Sequence, residues 1–115
     1  MATLTTQVIN RAGTVITPVA AAGGGDAMAC GANNYLEVVN GGGSPITVTL
    51  AIPAGASGYA NVAYTSSAVS VTNGTTKRIG PIAAGIYQDP TTGLCTITYS
   101  GVTSVTVAAV QLAQP

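Results

Sequence analysis

The chain has 115 residues but only three acidic and three basic side chains, a formal net charge of zero, and no His, Trp or Phe. A hydrolytic triad needs a His and a carboxylate mechanism needs acids gathered in one place, a zinc site needs clustered Cys and His, and a phosphate-binding surface engages several cations at once. This composition argues against all three, and leaves short runs of Thr, Val, Ala and Gly suited to packing and association.

The length fits one domain, whose core must come from Val, Ile, Leu, Ala and the five Tyr. Zero net charge removes the repulsion that opposes association, so a homo-oligomer or larger complex is expected. No window approaches the roughly 20 consecutive apolar residues of a membrane-spanning helix, and no membrane partner is expected. Residues 13–29 offer Ala27-Met28-Ala29 as small residues in export-signal spacing, but Thr17, Pro18 and Gly23-Gly24-Gly25 interrupt the apolar stretch, which argues against secretion. Cys30 and Cys95 are therefore expected as reduced thiols, with Cys95 a small core hydrophobe.

In chain order, residues 2–10 alternate weakly, with Leu4, Thr6 and Val8 on one side, and residues 14–20 continue in extended style before the flexible Gly23-Gly24-Gly25-Asp26. The first 30 residues read as an extended arm carrying one or two strands, and residues 31–115 as the folded domain. Tyr35 to Val39 is a strand, Asn40-Gly41-Gly42-Gly43-Ser44 a turn, and Pro45 to Ile52 a second strand with Ile46, Val48 and Leu50 on one face, together predicting a hairpin. Residues 53–67 read as a long loop containing Tyr59, Val62 and Tyr64. Ala68 to Thr72, the turn Asn73-Gly74 and Thr75 to Ile82 predict another hairpin. Asp89-Pro90-Thr91-Thr92-Gly93 turns into Leu94 to Tyr99, and Ser104 to Leu112 follows Ser100-Gly101 as a strand, because its β-branched start outweighs a helical reading of Val107 to Gln111. Seven to eight short strands without helical periodicity predict an all-β antiparallel sandwich or small barrel with an extended N-terminal arm.

Asp26, Glu37 and Asp89 are isolated acids that read as turn formers or solvated groups rather than a glycosidase pair. Lys77-Arg78, the only basic pair, either meets an acidic partner or guards an exposed strand edge, and the second reading is favoured. Asn73-Gly74-Thr75 matches a glycosylation acceptor but is better explained as a turn. Tyr59 and Tyr64 are the candidates for stacking on a glycan, whereas Tyr35, Tyr87 and Tyr99 pack in or against the core. No cofactor and no metal is called for.

The runs Asn40-Gly41-Gly42-Gly43-Ser44-Pro45-Ile46-Thr47-Val48-Thr49, Arg78-Ile79-Gly80-Pro81, Ile86-Tyr87-Gln88-Asp89 and Ile97-Thr98-Tyr99-Ser100-Gly101-Val102-Thr103 resemble small capsid decoration or minor capsid proteins of tailed bacteriophages. The resemblance covers most of residues 36–110 and is one of Gly, Thr and turn residues. It implies a structural virion protein made in the bacterial cytoplasm and placed on the capsid exterior. Such a protein binds the major capsid protein of the same phage, as a trimer at local three-fold axes, without nucleic acid. Its candidate partner contacts are Leu4, Val8 and Arg11 in the arm, Tyr59 and Tyr64 in the loop, and Lys77 and Arg78. A tail or head–tail connector component, or a glycan-binding surface module, is the alternative. Scarce charge predicts attachment that is mainly apolar and backbone-mediated, hence weakly salt-dependent.

Overall fold

The computed structural model describes residues 2–52 and 67–113. Among them are ten strands, β1 (Ala2–Thr3), β2 (Thr6–Ile9), β3 (Val19–Ala20), β4 (Asp26–Ala29), β5 (Asn34–Asn40), β6 (Ile46–Leu50), β7 (Ser67–Val71), β8 (Thr75–Ile79), β9 (Leu94–Tyr99) and β10 (Val105–Leu112), and one helical turn, α1 (Ala84–Tyr87). One sheet runs β1-β4-β9-β6-β7; the other runs β2-β10-β5-β8, with β3 also paired to β10. The all-β expectation holds.

Alternation along the strands explains why two layers form. Leu36 and Val38 of β5, Ile46, Val48 and Leu50 of β6, Cys95 and Ile97 of β9, and Val105, Val107 and Ala109 of β10 are all buried and form one shared cluster with Met28 and Leu4. Side chains two apart point the same way in a strand, so each sheet presents one apolar face to the other. In β10, Ala108 and Val110 are buried as well, which fits a strand flanked by β5 on one side and by β2 and β3 on the other.

Three sequence expectations are corrected. The sheets are mixed rather than antiparallel: β1 lies parallel to β4, with Ala2 opposite Asp26, and β2 parallel to β10, with Thr6 opposite Ala109. The segment expected as an extended arm with one or two strands over residues 1–30 supplies four of the ten described strands, which also raises the count above seven to eight. Its anchor is Leu4, 6% exposed within the core cluster, whose N–H donates to Ala27 O at 2.8 Å. On that path the chain leaves the edge of one sheet after Thr3 and joins the edge of the other at Thr6.

Neither predicted hairpin exists, because β5 and β8 lie in one sheet and β6 and β7 in the other. Residues 40–46 and 71–75 are crossings between layers, and so is the link from β9 to β10. All three meet at one end of the sandwich around Asn40, which is 1% exposed. Its Nδ2 donates to Ser44 O at 2.9 Å and to Val71 O at 3.0 Å, and its Oδ1 accepts from Gly42 N at 3.0 Å. Gly74 N donates to Asn40 O at 2.7 Å, and Gly41 N to Ser104 O at 2.9 Å. A Cβ on Gly42 would stand 2.8 Å from Thr103 O, so the close approach of the first and third crossings requires glycine there.

A candidate partner-binding edge

The two long sides of the sandwich differ. On one side Lys77 of β8 donates from Nζ to Ser70 O of β7 at 2.9 Å, tying the outer strands of the two sheets together. Arg78 beside it pairs with Glu37 of β5, Nη2 to Oε1 at 3.0 Å. The basic pair therefore serves contacts within the fold, Lys77 between the outer strands of the two sheets and Arg78 across to β5.

The other side is built from β1, β2, β3 and the tongue of residues 10–18 between β2 and β3. Local hydrogen bonds shape this tongue. Asn10 Oδ1 accepts from Ala12 N at 3.1 Å in an Asx turn. Thr14 Oγ1 donates to Val8 O at 2.9 Å and accepts from Asn10 N at 3.2 Å. Gln7 grips the backbone of Thr17 with both ends of its amide, accepting from its N–H at 2.8 Å and donating to its carbonyl at 3.0 Å. Three of the exposed large hydrophobics among the described residues lie here, Val15 at the tongue being 88% exposed, Val19 50% and Val8 42%, whereas Leu112, 55% exposed, lines a separate surface pocket with Tyr35 and Arg78. Val19 lies opposite Val107 and Val8 opposite Gln111, so both border the same edge of β10.

Between β1 and β3 a cleft of about 380 Å³ opens beneath this rim, walled by Thr3, Thr5, Gln7 and Thr17 over Leu4 and Asp26. Asp26 is fully buried. Its Oδ2 accepts from Tyr99 Oη at 2.8 Å and from Ala22 N at 3.3 Å, while Oδ1 has no hydrogen-bond partner. Burial, then donation to Asp26 and the proximity of its charge, raise the Tyr99 hydroxyl far above its ordinary value. Gly25, with φ +96°, places the acid: a Cβ there would meet Ile97 O at 2.6 Å.

Of the expected contact residues, Val8 and Arg11 stand on this exposed side. Leu4 is a correction, because it is core rather than contact surface. Lys77 and Arg78 are on β8, at the opposite edge of their sheet from β2 and β3. Tyr59 and Tyr64 lie outside the described residues. Sequence reasoning missed Val15, Val19 and Leu112, which carried no signal beyond belonging to extended runs, and Asp26, whose place after three glycines reads as a turn. Each acid keeps its own partners, with Asp89 Oδ1 accepting from Thr91 N at 2.8 Å. No group of three or more His, Cys, Asp or Glu able to hold a metal occurs among the described residues.

Both cysteines are free thiols. Burial, with a smaller contribution from the charge of Cys30, pushes the Cys95 thiol up to about 12, and burial raises Cys30. Comparison of the chain with known protein families, curated proteins and solved structures finds no match.

Proposed function

We propose that the chain is a structural virion protein of a tailed bacteriophage that decorates the outside of the capsid and stabilises the lattice of the major capsid protein. A binder of the assembled shell stabilises it by mass action, with no chemistry or cofactor. The observation that carries this reading is the exposure of Val8 and Val19 along one edge of β10 and of Val15 on the tongue beside it, a tongue held in shape by its own side chains. Preformed apolar rims of this kind lose little entropy on docking. The phage-like runs at residues 40–49 and 97–103 supply two of the three crossings, so they account for the layer-crossing architecture and leave docking to the β10 edge.

Deleting the N-terminal residues is not a clean test, because it removes Leu4 from the core. Surface changes are clean. Shells assembled without the chain are mixed with purified protein and sedimented. Wild type is expected to co-sediment to a saturating ratio, in 1 M NaCl as well as in dilute buffer. A Val8→Ser, Val15→Ser, Val19→Ser variant is expected to bind about tenfold or more weakly, given the apolar area lost. A wild-type protein that ignores shells, or virion density for the chain confined to the tail, sinks the proposal.

A further inference from the structure

All six charged side chains of the protein lie among the described residues, and their partners can be counted. Arg78 is paired with Glu37, Lys77 is bonded to Ser70 O, and Asp89 caps its own turn. That leaves Arg11, exposed on the tongue with no hydrogen bond or ion pair to any described residue, and Asp26, a buried residue lining the cleft whose Oδ1 has no partner. A buried carboxylate oxygen without a donor is costly, and a charged donor relieves it best. Tyr99 and Ala22 both donate to the other oxygen, so Oδ1 is the acceptor left over.

We propose that Arg11 of one copy reaches into the cleft of a second copy and donates to Asp26 Oδ1, making tongue and cleft the two halves of a self-association contact. The complementarity is that of charge: the unpaired cation and the unpaired acceptor belong to the same neutral chain and flank the same side of the sandwich. The apolar residues of the tongue, Val15 above all, then pack over the rim of the neighbour's cleft. Asp26 has no exposed surface in the single chain, so the rim formed by Thr3 and Thr5, both exposed side chains, has to part as the guanidinium arrives. The contact closes as a reciprocal dimer or, taken head to tail, as a ring. The inference rests on the self-association part of the preceding reading and is independent of the shell.

Sedimentation equilibrium of the isolated protein tests it without shells, so its failure and that of the decoration reading are separable. Wild type is expected to associate reversibly with concentration. Arg11→Ala, an exposed change, is expected to keep the circular dichroism and thermal midpoint of wild type while weakening association by about tenfold or more. Asp26→Asn is expected to weaken it too. A mixture of the two variants should associate more tightly than either alone, because each supplies the group the other lacks. A wild type that stays monomeric, an Arg11→Ala variant that associates like wild type, or a mixture no tighter than its components overturns the proposal.

Discussion

Asn40 spans two chain crossings with one amide. Three hydrogen bonds at 2.9–3.0 Å leave neither end of the side chain unsatisfied. Removing it strips donors from Ser44 O and Val71 O, and orphaned buried groups cost more than the bonds contributed when made. Asn40→Ala should therefore destabilise the fold by about 2 kcal/mol or more, measured by urea denaturation. At Cys95 the effect depends on pH. The folded-state thiol titrates at about 12, above the ordinary 9.0. Its contribution is fully present below pH 9 and is lost as pH rises toward the folded value, because only the unfolded chain readily forms the thiolate. The thermal midpoint should fall between pH 9 and 11, and Cys95→Val should flatten that fall.

At the scale of elements, the N-terminal segment is a strap that joins both sheets through a single buried side chain. Leu4→Ala should cost about 2–3 kcal/mol, the lower part of the range for core leucines because the site borders the cleft and can relax, and thermal or chemical denaturation reads it directly. The strap was illegible in the sequence for the same reason that it is vulnerable. Between Ala2 and Ile9 only Leu4 is buried, so the apolar density is that of an arm. β5, β6, β9 and β10 were legible because their alternation is enforced by a face that must be buried. The turns at Asn40 and Asn73-Gly74 were located correctly and their consequence was not. Turn chemistry states where the chain bends; whether the next strand returns to the same sheet or enters the other is decided by long-range packing, here through Asn40 and Val71. Asp26 was hidden for a related reason, since Asp26, Ala27 and Met28 are all buried and such a run has no alternation to read.

For the molecule as a whole, charge is used almost entirely inside the fold. With a net charge of zero and one ion pair among the described residues, little is left at the surface for salt to screen. The Debye length shrinks to about 3 Å at 1 M salt, which weakens exposed charge contacts and leaves apolar ones in place, and this is why attachment to shells is expected to survive 1 M NaCl. A contact that buries Arg11 against Asp26 is likewise shielded from the salt. The sandwich is asymmetric: Lys77 ties the outer strands across one side, while the strap through Leu4 and the tongue with its exposed valines lie on the other. Composition predicts a chain that packs and associates, but where the exposed valines sit follows only from which strands the fold leaves at its edges.

Sheet order also bears on how the protein is made. β10 is the strand against which β2, β3 and β5 all assemble, yet it covers residues 105–112. While a ribosome is still translating, the earlier strands of that layer have no central partner, and β2 and β3 have nothing to pair with. A nascent or prematurely ended chain therefore lacks the strand against which the tongue-bearing edge forms. On the proposed reading, presentation of the docking edge would wait on synthesis of β10, which follows the other described strands in chain order.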